Sequence, residues 1–230
     1  MKPILSAAIF LMPFCSFAQD AKSVKHRLSE NLYEQYTVSS SNKDQKDGLY
    51  LVYNDADKLI TRGVYKDGKR SGTWRFYDDS NRIAQIYDYA NAKLLFTNAD
   101  SASYVKTDYL FEGDTKEDSH IPVKIGGANY AFLLLYSPKS IPANITATKS
   151  DIEVIYTFSV DEAGKTERIF ATYTSNGITE KRKLTLRNQE LLDFIPAQAN
   201  GTPVKSVVVM SSTIYADKLV VAGTNNIVSH

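Results

Sequence analysis

Gly48-Leu49-Tyr50-Leu51-Val52-Tyr53 and Gly72-Thr73-Trp74-Arg75-Phe76-Tyr77 are one phrase written twice, 24 residues apart. The echo runs on: Lys58-Leu59 corresponds to Arg82-Ile83, Tyr65 to Tyr89 and Lys69 to Lys93. Self-similarity at a fixed period of about 20–50 residues marks stacked supersecondary units, none of which buries its apolar face alone. Each unit reads as a β-hairpin. In the first, residues 49–53 are a strand, Asn54-Asp55-Ala56-Asp57 a turn and 59–65 the return strand. Asp67-Gly68 then turns tightly into the second unit, a dipeptide suited to positive φ. The second unit runs 73–77, turns at Asp78-Asp79-Ser80-Asn81 and returns through 82–89.

Upstream of the repeats, residues 19–46 read as a polar leader, with 33–38 as the worn first half of a further unit. Residues 1–18 have the pattern of a signal peptide: Lys2, a short apolar run from Ile4 to Phe14, and small residues at −3 and −1 in Ser16-Phe17-Ala18. The run is shorter than the roughly 20 residues a membrane span needs. It holds Cys15, the only cysteine, so the exported chain is expected to have neither disulfide nor thiol chemistry. Removing Lys2 from 27 basic residues leaves 26 against 26 acidic ones. A neutral chain without a basic stripe argues against a nucleic-acid partner.

Residues 96–120 read as a connector ending in an acidic loop, and 217–230 as a tail. Between them the pattern changes. Ala128, Ala131, Phe132 and Leu135 fall on one helical face after Gly126-Gly127, and Pro138 and Pro142 end the helix. Residues 152–160 alternate as a strand, with Val154, Tyr156, Phe158 and Val160 on one side. Asp161-Glu162-Ala163-Gly164 turns it back into 166–174; 178–192 is expected to be a second helix and 204–215 a last strand.

Two resemblances follow from these residues. Gly-x-Tyr/Trp-x-x-Tyr, a turn, then Tyr65-x-x-Gly68-Lys69 resembles the MORN-like repeats of bacterial proteins over residues 47–95, with Ala92 standing where Gly68 stood. The segment 121–216 resembles the TonB C-terminal domain. The matching residues are Pro122 with Gly126-Gly127; Val154, Phe158, Val160 and Gly164; then Phe194, Pro196-Ala197 and Asn200-Gly201-Thr202-Pro203-Val204. Phe194 occupies a position where that family usually has Trp. The two resemblances imply an α+β protein: N-terminal stacked β-hairpin repeats followed by a small two-layer α/β domain with an antiparallel sheet and two helices. The second also implies docking onto a short segment of an outer-membrane transporter.

Catalytic signatures are sparse. Nucleophilic catalysis needs a base within reach of the nucleophile, and the three histidines are His26 in the leader, His120 beside the acidic loop and the terminal His230. No Gly-x-Ser-x-Gly elbow accompanies them. Glu112, Asp114, Glu117, Asp118 and His120 lack the ordered spacing of a calcium loop. Gly126-Gly127 is not followed by the Lys-Ser/Thr of a phosphate loop. No metal or cofactor is expected, and the chain reads as non-enzymatic.

Two binding surfaces are expected. Tyr50, Tyr53, Trp74 and Tyr77 offer a stacking surface, against burial between neighbouring hairpins. Val207, Val208, Val209 and Met210 begin a strand that, at a sheet edge, would accept an extended peptide by main-chain pairing. The expectation is therefore an exported, periplasmic or outer-membrane-associated protein of a Gram-negative envelope that binds an envelope protein or peptide segment. The alternatives are a structural, self-assembling surface component and a hydrolase of envelope polymers built on His120.

Overall fold

The computed structural model describes residues 22–98, 105–111, 119–185 and 188–217; the signal-peptide reading, the acidic loop 112–118 and the tail after Asp217 lie outside them. The N-terminal part is a seven-stranded antiparallel meander in chain order: β1 (Ser23–Arg27), β2 (Leu32–Val38), β3 (Lys46–Asn54), β4 (Leu59–Lys66), β5 (Lys69–Tyr77), β6 (Ile83–Asp88) and β7 (Lys93–Thr97). The polar leader thus contributes two strands. Alternate residues face inwards, so Leu32, Tyr50, Val52, Trp74 and Phe76 are buried while their neighbours are at least partly exposed.

The 24-residue echo is visible in the turns. Asn54 and Asp78 each accept the backbone N–H groups two and four residues on, through Oδ1 (Ala56 and Lys58; Ser80 and Arg82). The last residue of the loop is left-handed in both, Asp57 at φ 55° and Asn81 at φ 59°. This is a three-residue loop closed by a bulge, a common hairpin connection. Asp161, with Ala163 and Lys165, builds the same loop in the second half of the chain.

The second half continues with β8 (Lys106–Phe111), β9 (Val123–Lys124), helix α1 (Gly127–Leu135), the single turn α2 (Ala143–Thr146), β10 (Ile152–Val160), β11 (Thr166–Ser175), β12 (Ile178–Leu184), β13 (Phe194–Ile195), β14 (Ala197–Ala199), β15 (Thr202–Val204) and β16 (Ser206–Ile214). Five of these strands form an antiparallel sheet in the order β12-β11-β10-β16-β8; β9 pairs with β13 and β14 with β15.

These elements correct the expected class. Among the described residues strand accounts for 56% and helix for 12%, so the fold is mostly β, with several antiparallel sheets, not an α+β chain ending in a two-layer α/β domain. Among the described residues the expected second helix is absent: Ile178–Leu184 is strand β12 and Gln189–Leu192 a 3-10 turn. Asn176 (φ 48°) and Gly177 (φ 79°) are both left-handed, the geometry of a two-residue hairpin turn, and they send the chain back alongside β11.

Helix α1 lies between the sheets. Tyr130 packs on Phe76 of β5 with ring centroids 5.6 Å apart, and Phe132 on Tyr156 of β10 at 5.8 Å. Asn31 and Ser29 from the β1–β2 turn donate to the Leu133 carbonyl. Both sheets and the helix share one buried cluster running from Leu32 through Trp74 and Tyr130 to Phe158 and Met210.

Candidate functional site

Strand β16 is interior. It pairs with β10 along its whole length and with β8 from Ser206 to Ser211. Val208 and Met210 face the core, each 1% exposed, while Val207 and Val209 half-emerge on the outer face. Their main-chain groups are already committed on both sides, so the expectation of a free edge at 207–210 is corrected by one strand. The edge is β8.

On β8 the outward side chains Lys106, Asp108 and Leu110 stand opposite Ser211, Val209 and Val207. Among the described residues nothing flanks them on the other side. Leu110 is 72% exposed. Neither Lys106 nor Asp108 has an ion-pair partner among the described residues; Asp108 accepts the Tyr109 N–H at 2.8 Å. The opposite edge is different. Strand β12 exposes Lys181, Arg182 and Lys183 in succession, a charged border of the kind that deters strand addition.

A second feature lies between the sheets: a groove of about 960 Å³ lined by Leu28, Glu34, Tyr36, Lys46, Leu134 and Leu191, among others. Behind Lys46, which lines the groove with Tyr36, strands β2, β3 and β4 set Tyr36, Tyr50 and Tyr65 side by side. The Lys46 ammonium lies 4.5, 4.7 and 5.3 Å from their ring centroids. The Glu34 carboxylate, 2% exposed, closes this aromatic cage at 2.6 Å from Lys46 Nζ, with His26 Nδ1 at 3.6 Å. An aromatic box with a carboxylate suits a cation, and the chain's own lysine fills it. Neither Glu34 nor Lys46 was singled out in the sequence. The available signal was an acid on the inward side of an alternating strand, where burial is tolerated only with a partner.

A third polar cluster joins the two halves. Arg70 donates to the Tyr89 hydroxyl (2.6 Å) and to Asp193 (3.3 Å), which also receives Lys165 at 2.6 Å. Gln85 donates to the Lys124 carbonyl at 3.0 Å and accepts the Gly126 N–H. The buried Lys124 ammonium donates to the Leu191 and Ile125 carbonyls. Burial, and after it the nearby Arg70 charge, pushes its pKa down to about 7, against a smaller opposing pull from Asp193. A neutral amine has two N–H donors for those two carbonyls, so it can remain uncharged without leaving either unmet.

The aromatic quartet divides. Tyr50 and Trp74 are 0% and 1% exposed, Tyr50 5.1 Å from Trp74 in the core, whereas Tyr53 and Tyr77 emerge on the opposite face. An odd spacing of three on a strand sends side chains to opposite faces, so the four cannot form one surface. Tyr53 stacks on Tyr33 at 5.4 Å instead. His120 is exposed and pairs through its backbone with Gln198. Among the described residues no group of three or more His, Cys, Asp and Glu is placed to hold a metal, and no helix is long and apolar enough to cross a membrane. No family model, curated protein or solved structure matches the chain.

Proposed function

We propose that this chain is an exported, non-enzymatic protein of a Gram-negative envelope that binds polypeptide by strand addition at β8. The observation that carries the reading is the open edge of the five-stranded sheet. An edge strand presents alternate N–H and C=O groups without partners, and an extended segment completes them. Leu110 adds an apolar contact at 72% exposure. Export is supported by Lys2, the apolar run 4–14 and Ser16-Phe17-Ala18.

The hairpin units at 24-residue spacing, with their repeated Asx-closed loops, support reading the N-terminal sheet as MORN-like scaffold. The TonB-like reading of 121–216 supplies the kind of partner, an envelope polypeptide in extended form. The motifs at Val154, Phe158, Val160 and Gly164 support it, although where that family would have its second helix this chain has strand β12 (Ile178–Leu184) and a 3-10 turn (Gln189–Leu192).

The reading is tested by placing a photo-crosslinking amino acid at Leu110 on β8 or at Lys183 on β12 in the expressed protein. Both positions are exposed, so neither substitution burdens the fold. A defined adduct at 110, stronger than at 183, is the expected result. Equal or absent labelling at the two edges overturns strand addition at β8.

A further inference from the structure

The exposed edge of β8 specifies its own complement. A strand added antiparallel to it places side chains beside Lys106, Asp108 and Leu110 on the outer face. Cross-strand pairs of opposite charge stabilise and like pairs destabilise. The added strand therefore needs an acid beside Lys106 and a base beside Asp108, two residues apart. Lys106-Thr107-Asp108 itself supplies both. Run antiparallel about Thr107, a second β8 sets its Asp108 beside Lys106, its Lys106 beside Asp108, and Thr107 beside Thr107.

We propose that β8 pairs with β8 of a second copy of this chain across a two-fold axis at Thr107, joining two five-stranded sheets into one. The alternation of faces is consistent. Lys106 and Asp108 share the outer face, opposite Ser211 and Val209, while Thr107 and Tyr109 lie opposite Met210 and Val208 on the inner side. The same operation about Asp108 would set Asp108 against Asp108, so charge selects the register. A C2 contact of this kind is self-complementary by construction and closes at two copies. At the other edge, β12, a two-fold about Arg182 would set Lys181 against Lys183 and Arg182 against its own copy. The contact is short, so the dimer is reversible and concentration-dependent. This inference rests on the strand-addition reading and names its partner.

Sedimentation equilibrium over a range of protein concentrations tests it. The wild type is expected to dimerise. Asp108→Lys or Lys106→Asp creates two like-charge pairs and weakens association by about tenfold or more. The double variant Lys106→Asp/Asp108→Lys restores opposite pairs and recovers the dimer, an outcome that a merely misfolded variant cannot produce. In a Cys15→Ser background, which removes the only native cysteine, Thr107→Cys oxidises to a covalent dimer because each thiol meets its copy at the axis. Leu110→Cys, also exposed but off the axis, does not. A monomer at all concentrations, a dimer indifferent to the charge variants, or a double variant that stays monomeric overturns the proposal. If the Leu110 crosslinker captures a different protein while the chain sediments as a monomer, self-pairing fails and strand addition at β8 stands.

Discussion

Gly63 carries the packing of the repeat core, and Gly63→Ala tests how tightly that core is built. A Cβ at Gly63 would lie 2.1, 2.2 and 2.5 Å from Cδ2, Cε2 and Cγ of Trp74. Carbon atoms rest about 3.5–4.0 Å apart, so the indole must retreat by more than ~1 Å. It has little room: Tyr50, Tyr65 and Tyr89 hold it at 5.1, 5.5 and 5.3 Å between centroids, and its N–H donates to the Val64 carbonyl at 3.3 Å. Overpacking a closed core costs about 1–3 kcal/mol, and backbone pressing on a ring boxed on three sides belongs at the upper end. For a chain of this size about 3 kcal/mol lowers Tm by roughly 6–12 °C. Urea unfolding followed by the single tryptophan reports from the perturbed ring itself; the midpoint should fall with the m-value unchanged. The double-mutant cycle with Trp74→Leu, read by circular dichroism, isolates the cause. Once the indole is gone the methyl has space, so the double variant should be less destabilised than the sum of the singles by about 1–3 kcal/mol. Additive losses, or a Gly63→Ala variant within about 0.5 kcal/mol of wild type, would refute the close contact.

Lys124 gives stability a pH dependence with a definite sign. Its folded pKa, about 7, lies below that of an unfolded lysine, so above pH 7 the unfolded chain holds a proton that the folded chain has lost. Stability therefore rises with pH from about 7 towards 10, by at most tenfold per unit in the folding constant. Lys124→Met should flatten that slope in unfolding titrations. Above about pH 10 the sign reverses, because burial holds Tyr50, Tyr65, Tyr130 and Tyr156 protonated while unfolded tyrosines ionise. Replacing Asn176-Gly177 with Ala-Ala forces two left-handed residues into strain of about 1–2 kcal/mol each. Amide exchange should then rise along β12 and β11 before the rest of the sheet.

The hairpin array was legible because its signals are local. Asn54, Asp78 and Asp161 open the loops and the strands alternate cleanly between them, so spacing alone places the turns. The second half was misread where local and tertiary preferences diverge. Strand β12, Ile-Thr-Glu-Lys-Arg-Lys-Leu, is an edge strand with little to bury, and its Glu, Lys, Arg and Leu are good helix formers. Asn176-Gly177 betrays the hairpin, and Lys183-Leu184-Thr185-Leu186 alternates as a strand does inside the expected helix. For β16 the signal was present in the run Val207-Val208-Val209-Met210: an unbroken apolar stretch suits a strand flanked on both sides better than an edge. The β8 edge was harder to read, since which strand borders a sheet depends on pairings between distant residues, here 106–111 with 206–211. Glu34 and Lys46 meet through strand register 12 residues apart, and the cage they complete needs three strands in place.

Helix α1 is apolar almost all the way round, with Asn129, Tyr130, Ala131, Leu134 and Leu135 buried. A helix with two dry faces belongs to neither sheet alone. The hairpin array therefore looks like a detachable module in sequence and is not one in substance. Cut after Thr97, it would bare Phe76, which packs on Tyr130; the remainder, begun at Lys106, would leave Tyr130 without that ring. Such fragments should be insoluble when expressed apart and should recover structure when mixed. Over evolutionary time the two halves are bound to travel as one inherited unit, and recombination within the connector would discard both.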